Sequence, residues 1–189
     1  MQPTKVFHQI IIKNIPMRQI FLSIESTGLF ANSGDRIVEI DCVEMFNHKL
    51  TGNDRHYYIN PERDSDQGAL SVHGLSSDFL RVKPKFIDIV DEFLTYASGT
   101  EFCSKSPHFD LPFLNAELKR LGKPTIEELV SSVMVVKDLA KKIFPNHRNS
   151  LEDLRVRLQI SNESTVLRGV KSNALLLAHI YSRLRNMKH

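Results

Sequence analysis

Residues 19–28 constrain the fold more than any other part of the chain. They read Gln-Ile-Phe-Leu-Ser-Ile-Glu-Ser-Thr-Gly, an apolar run of β character that ends at Glu25 and is followed by a turn signal. A strand of this kind is expected to be buried in a sheet and to carry Glu25 to its carboxyl end, where open α/β sheets place their chemistry. The alternative interpretation is an ordinary core strand that runs into a loop.

The rest of the chain predicts strands first and interleaved helices later. Alternation along residues 36–46 predicts a second strand, with Ile40 and Cys42 on one face and Glu39 and Asp41 on the other. The order of elements indicates an α+β sheet with a parallel half. Further strands are expected near residues 56–59, 101–103 and 133–136. Helices are expected to be opened by Pro84, to follow Asp110, and to cover residues 138–144, 150–158 and 171–185.

Composition is that of one globular domain. The chain has 189 residues, of which 41% are hydrophobic and 25% charged, which is enough to bury a substantial core. Its apolar runs are too short to span a bilayer, and the first residues lack a basic leader and a small-residue cleavage site. Cys42 and Cys103 show neither metal-ligand spacing nor a disulfide framework, so both are expected to be reduced, buried thiols in a cytoplasmic protein.

The charge of the chain is divided unevenly between its two parts. Residues 1–118 hold 11 basic and 16 acidic side chains, whereas residues 119–189 hold 14 basic and 6 acidic ones. Three interpretations of the basic part are open: it binds along a phosphate backbone, it docks on an acidic protein surface, or its charges lie on solvated helix faces.

Several short segments carry a resemblance to a known family. From Arg18 to about Leu184 the chain resembles the DnaQ-like (DEDDh-type) 3′-5′ exonucleases, and within them the epsilon proofreading subunits of bacterial DNA polymerase III. The resemblance implies a ribonuclease H-like fold, a mixed five-stranded sheet flanked by helices. It divides the chain into an N-terminal extension (1–17), the exonuclease-fold domain (18–185) and a short tail (186–189). The segments that match, in family order, are Ile37-Val38-Glu39-Ile40, Leu50-Thr51-Gly52-Asn53, Val72-His73-Gly74, Lys83-Pro84, Phe109-Asp110, Phe144-Pro145 and Arg148-Asn149-Ser150-Leu151.

The same resemblance indicates an altered active site. Enzymes of this family carry Asp-x-Glu in the first motif, a second Asp after Asn-x-x-Phe, and His-x-x-x-x-Asp in the third. At those positions this chain has Ser23 and Glu25, then Asp110, then Arg168 and Asn173. Two of four metal-binding carboxylates are therefore expected to be missing, and the general-base histidine is replaced by an arginine.

Hydrolysis of this class uses two divalent ions, which need several carboxylates to offset their mutual repulsion. Ser23 and Asn173 are neutral oxygen ligands at best, and the guanidinium of Arg168 stays protonated at working pH. Glu25 and Asp110 are expected to hold one ion weakly at most. No cofactor is expected, except Mg²⁺ or Mn²⁺ if activity persists. His108 is a weak candidate for a substitute base, because its side chain is expected to point away from that of Asp110.

Two readings of Arg168 stay open. Either it occupies the former metal space and bridges Glu25 and Asp110, or it lies on a loop that points into solvent. Candidate phosphate contacts are Lys141, Lys142, Arg148, Arg168 and Lys171.

The sequence supports three functions. The first is a catalytically inactive exonuclease homologue that acts as an adaptor, scaffold or regulatory subunit in a multiprotein assembly. The second is a module that holds single-stranded nucleic acid without cutting it, and the third is a weak metal-dependent 3′-5′ exonuclease. Neither the clamp-binding motif nor the polymerase-binding tail of epsilon subunits is recognisable after residue 185, so a different protein partner is expected, with residues 1–17 as a candidate docking element.

Overall fold

The computed structural model describes residues 17–167 and 170–187. In this part of the chain, six strands form one mixed sheet in the order β3-β2-β1-β5-β6, with β4 also paired to β2. The strands are β1 (Arg18–Ser26), β2 (Ile37–Phe46), β3 (Lys49–Leu50), β4 (Arg55–Tyr58), β5 (Glu101–Ser104) and β6 (Ser132–Val135).

Helices cover both faces of this sheet, and a short hairpin precedes the last of them. The helices are α1 (Gln67–His73), α2 (Ser77–Arg81), α3 (Phe86–Ala97), α4 (Pro107–Arg120), α5 (Ile126–Leu129), α6 (Val136–Ile143), α7 (Leu151–Arg157) and α8 (Asn173–Asn186), and the hairpin joins β7 (Val166–Leu167) to β8 (Val170–Lys171).

Strand β1 is the centre of the sheet because it pairs antiparallel with β2 and parallel with β5. Its side chains alternate between two cores. Ile20, Leu22 and Ile24 face a core shared with α3 and α4, whereas Phe21 faces a second core shared with α6, α7 and α8. Both faces of β1 are covered, which explains why its sequence is a nearly continuous apolar run.

Most elements predicted from sequence are present. Ser150 and Asp153 form the expected capping box at the start of α7, and Leu176, Ile180 and Leu184 of α8 are buried. Cys42 and Cys103 are buried and free, as predicted. Helices α1, α2 and α5 are short elements that the sequence pattern did not indicate.

Two predicted helix starts were wrong. Helix α3 begins at Phe86, because Lys85 is its N-cap and the Asp88 carboxylate accepts a hydrogen bond from the Lys85 N–H at 2.8 Å. Pro84 therefore precedes the cap. Helix α4 already begins at Pro107, so Asp110 lies in its first turn instead of before it. Proline is favoured at such a first position because its missing N–H has no helical partner there.

Candidate active site

Ser23 and Glu25 lie near the carboxyl end of β1, on the face that the α6–α8 core covers. Both are partly buried. The pairing with β2 shifts register between Glu25 and Ser26, and such irregularities locally bend a strand and change the direction of its side chains. The strand thus brings Glu25 to the edge of the core, as the sequence predicted.

Strand β2 places two more carboxylates beside them. Asp41 is the cross-strand partner of Ser23, and Glu39 is the partner of Glu25. Residues directly opposite on an antiparallel pair project to the same face of the sheet. The sequence assigned Glu39 and Asp41 to one face of a strand but did not assign them to the site, because their proximity depends on the pairing of β1 with β2.

The N-terminus of α8 completes this side of the site. Ser172 is the N-cap of α8 and its Oγ accepts a hydrogen bond from the Leu175 N–H at 2.9 Å. The same hydroxyl donates to Asp41 Oδ2 at 2.5 Å, and the Ala174 N–H also points to that oxygen at 3.4 Å. Asp41 therefore ties β2 to the first turn of α8, which holds Asn173 next to β1.

A small cavity lies where these elements meet. Its volume is about 40 Å³, and each side chain that lines it carries at least one oxygen atom. The structure thus brings together three site residues predicted from sequence and two that were not, and the lining residues are Ser23, Glu25, Glu39, Asp41 and Asn173.

Asp110 lies near Glu25 but does not line the small cavity. It is only 5% exposed, and its Oδ2 accepts a short hydrogen bond from the Ser104 hydroxyl at the end of β5. Burial raises the pKa of Asp110 to about 7, while the Ser104 hydrogen bond and the charge of Lys105 act in the opposite direction. His108, in the same helical turn, is exposed to solvent.

Burial also raises the pKa of Glu25, and the negative charge of Glu39 raises it further. The ammonium of Lys105 lowers the pKa of both Glu25 and Asp110. Lys105 follows β5 directly and was not identified from the sequence. Arg168, which was hypothesised to bridge Glu25 and Asp110, lies outside the described residues.

The side chains suit a hard cation in kind but are few in number. All donors around the cavity are oxygen atoms, the ligand type that Mg²⁺ and Mn²⁺ prefer. Asp41 Oδ1 is buried and has no hydrogen-bond partner among the described residues. In the part of the chain that the structure describes, however, no three His, Cys, Asp or Glu side chains converge in a way that would hold a metal.

A larger cleft opens on the other side of Glu25. Its volume is about 560 Å³, and its apolar wall includes Leu29 and Val72, which are 71% and 77% exposed, together with Phe109. His73 also lines this cleft. It is the last residue of α1, and its Nδ1 accepts a hydrogen bond from the Leu75 N–H at 2.9 Å.

Three of the five predicted phosphate-binding residues lie away from Glu25. Lys141 and Lys142 are exposed on α6, and Arg148 is exposed in the loop before α7. None of the three lines the cavity or the cleft at Glu25. The side chain of Lys171, like Arg168, lies outside what the structure describes. Contact of these residues with nucleic acid stays a prediction.

Comparison with known proteins identifies the family. The model of the exonuclease family RNase_T matches residues 20–165 of this chain. The epsilon subunit of DNA polymerase III from Rickettsia felis is 40% identical over 169 residues, which cover 89% of this chain and 74% of that protein. The chain belongs to the RNase_T exonuclease family. The epsilon subunit of Escherichia coli is 38% identical to this RNase_T chain over 170 residues, covering 87% of it and 70% of the relative.

Solved structures agree on the fold of this RNase_T domain. Exonuclease I without ligand superposes with a TM-score of 0.76 at 13% identity, covering 90% of this chain and 42% of that one. The nuclease domain of 3′hExo, a DEDDh family member bound to rAMP, superposes with a TM-score of 0.73 at 13% identity, covering 91% and 93%. The predicted ribonuclease H-like fold and the predicted family are thus confirmed. No helix among residues 17–167 and 170–187 has the length and apolarity needed to cross a membrane.

Proposed function

We propose that this chain is an RNase_T-family protein that does not cut DNA at a useful rate and acts by binding, as an adaptor, scaffold or regulatory subunit of a multiprotein assembly. The observation that carries the proposal is the convergence of Ser23 and Asn173 with Glu25 around one small cavity. Neutral groups stand at two of the four positions where the family places metal-binding carboxylates.

The chemistry of hydrolysis explains why this matters. Two dications held about 3.5–4 Å apart clamp the attacking and leaving oxygens of the phosphodiester. The protein must supply enough negative charge to hold both ions against their repulsion. Ser23 and Asn173 supply none, and Arg168, at the position of the family's general base, cannot accept a proton. Loss of general-base catalysis alone slows such reactions by typically about 10²–10⁴-fold.

The assembly role draws support from the relatives. Those that are about 40% identical over most of the chain are named subunits of DNA polymerase III, so proteins with this sequence pattern work beside other chains. Residues 1–17 precede the matched region and include the apolar run Ile10-Ile11-Ile12. We expect deletion of residues 1–16 to remove at least one partner from pull-downs, and an unchanged set of partners would exclude this segment as the docking element.

A second candidate function is supported by the cleft beside Glu25. An apolar wall next to a carboxylate-bearing strand end can accept an unstacked terminal base, because aromatic and apolar side chains bind bases without sequence preference. The chain would then hold the 3′ end of a single strand without cutting it.

The decisive experiment compares the native chain with a revertant. We expect Mn²⁺-dependent degradation of a 5′-labelled single-stranded oligonucleotide only by the Ser23→Asp, Arg168→His, Asn173→Asp triple variant. The same triple variant with an added Glu25→Gln change is the matched control, since it shows whether any activity arises at this site. Brisk degradation by the native chain would overturn the proposal and support the weak-exonuclease alternative.

Binding measurements then separate the two roles. If the native chain holds DNA, its affinity for a single strand will fall as salt rises, because each neutralised phosphate releases counterions. Absence of DNA binding at low salt, combined with capture of protein partners, would leave the adaptor role alone.

A further inference from the structure

Strand β6 lies at one end of the sheet, and a groove runs beside it between α6 and the end of α8. We propose that this edge and its groove bind an extended, acidic peptide segment of a partner protein, which adds to the sheet as a further strand. The inference rests on the proposed function, since it specifies the class of partner that an adaptor of this fold would bind.

The first argument is the free edge of β6. Alternate residues of a strand direct their backbone N–H and C=O groups to opposite sides. Within residues 17–167 and 170–187, β6 pairs with β5 on one side and with no strand on the other. Proteins commonly protect such an edge with charged residues or proline, and Ser132–Val135 contains neither. The edge is therefore suited to the addition of an extended peptide.

The second argument is the apolar floor of the groove, whose volume is about 540 Å³. Val133, Met134 and Val135 of β6 are each half-buried, and they line it together with Leu139 of α6 and Tyr181 of α8. Side chains of an added strand alternate between the two faces of the sheet. A peptide with an apolar residue at every second position would therefore place these residues against the floor.

The third argument is the charge at the rim. Lys142 and Arg185 line the groove and are exposed, and no ion pair among the described residues involves either of them. Asp138 also lines the groove, but its carboxylate lies 3.4 Å from the ammonium of Lys141. The groove thus presents two cations without a partner in the described chain, and acidic residues of a peptide would complement them.

Other occupants match the groove less well. Residues 1–16 contain Lys5 and Lys13 and no acidic side chain, so their charge opposes binding at this rim. A second copy that paired edge to edge would bring the same cations of both copies together. A nucleic acid would match the cations but neither the apolar floor nor the free C=O groups of β6, whereas a polypeptide matches all three.

The test begins with selection of random peptides, displayed on phage, against the full native chain. We expect the enriched peptides to be acidic, with apolar residues at alternate positions. A synthetic, fluorescently labelled copy of one such peptide is then titrated by fluorescence anisotropy. The Lys142→Glu, Arg185→Glu double variant should bind it about tenfold more weakly or worse, because both rim charges become repulsive.

The matched control is the Lys137→Glu, Arg183→Glu double variant. It changes the net charge by the same amount on the same two helices, and both residues are exposed but do not line the groove. Its affinity for the peptide should stay within about threefold of the native value, because charges away from the contact are screened by salt. Urea unfolding of each variant shows that it is folded.

Methylation of the peptide backbone tests the addition of a strand directly. Only alternate N–H groups of an added strand point to β6. Methyl groups on one set of alternate nitrogens should therefore abolish binding, whereas methyl groups on the other set should leave it nearly unchanged. Equal affinities of the two methylated peptides would contradict strand addition.

Four further results would overturn the inference. They are the absence of acidic peptides after selection, equal weakening in the two double variants, displacement of the peptide by a short single-stranded oligonucleotide, and peptide binding only after deletion of residues 1–16 or after dissociation of a native dimer. The last two would assign the groove to nucleic acid, to the N-terminal segment or to a second copy. Rapid oligonucleotide cutting by the native chain refutes the proposed function, whereas failure of peptide binding without cutting refutes only this inference.

Discussion

Ser23 of β1 lies directly opposite Asp41 of β2, and the hydroxyl of Ser172 at the start of α8 donates a hydrogen bond to that same aspartate. Asp41, which belongs to none of the family motifs, therefore links β1 and β2 to the start of α8. The neutral side chain at position 23 and the carboxylate at position 41 share one small volume, so a change at either position is expected to affect the other.

Introducing a carboxylate at position 23 should destabilise the metal-free protein. In Ser23→Asp, two carboxylates face each other across the strand pair, and like charges in that position are unfavourable by up to about 1 kcal/mol, more when they are partly buried. Urea unfolding in EDTA at neutral pH should show this loss. Ser23→Asn adds similar volume without charge and serves as the control. A Ser23→Asp, Asp41→Asn double variant should recover most of the stability, because asparagine removes one charge and keeps an oxygen that can accept the Ser172 hydrogen bond. Equal stability of Ser23→Asp and Ser23→Asn would show that charge repulsion between positions 23 and 41 does not destabilise the fold.

The buried carboxyl group of Asp110 should make the stability of the fold fall as pH rises. Its pKa is raised from 3.8 to about 7 by burial, so between these two pH values the folded chain keeps a proton that the unfolded chain has released. The contribution of Asp110 to the free energy of unfolding therefore decreases through this window, by a total on the order of 4 kcal/mol.

Asp110→Asn removes that titration. Relative to the native chain, the variant should gain stability progressively from pH 4 to about pH 7 and show a constant difference above that range. Chemical denaturation in EDTA at a series of pH values measures it, because EDTA prevents an ion from stabilising the ionised carboxylate. A difference between the two proteins that does not depend on pH would contradict the raised pKa.

The N-cap of α8 should contribute more to stability than the N-cap of α7. Ser172 and Ser150 both accept a hydrogen bond from a backbone N–H in the first turn of their helix, and loss of such a cap costs typically about 1 kcal/mol. Ser172 also donates to the buried Asp41 carboxylate, and hydrogen bonds to charged groups contribute about 1.5–3 kcal/mol. Ser172→Ala should therefore reduce the free energy of unfolding by about 2 kcal/mol or more, against about 1 kcal/mol for Ser150→Ala. Similar losses in urea titrations of the two variants would show that the link to Asp41 contributes little.

If the chain holds single-stranded ends, the cleft beside Glu25 should account for that affinity. Replacing exposed Leu29 and Val72 by serine removes apolar contact of about 1 kcal/mol each, and the double variant should bind about 30-fold more weakly. Fluorescence anisotropy with an oligonucleotide that has a free 3′ hydroxyl measures this in EDTA. Ile87→Ser is the control, because Ile87 is 59% exposed on α3 and does not line the cleft. Equal affinities for native chain and double variant would place any DNA-binding surface elsewhere.

Local sequence was sufficient for much of the fold. The apolar run before Glu25 predicted a buried strand, and the alternation along residues 36–46 correctly separated Ile40 and Cys42 from Glu39 and Asp41. The Ser150–Asp153 capping box is a contact between residues three apart, so it can be read without knowledge of the tertiary structure. The short helices α1 and α2 were missed since neither is long enough to produce a periodic apolar face.

By itself, the sequence determined which chemical groups the site can contain: Glu25, Ser23, Asp110 and Asn173 were identified from motif positions. Only the tertiary structure decided that Asp41 belongs with them, while Asp110 stays bonded to Ser104. The reason is the distance along the chain: Asp41 and Ser172 are 131 residues apart, and only the strand pairing and the docking of α8 bring them together. Residue types and their periodicity depend on local sequence, whereas the set of charges that share one buried volume depends on packing.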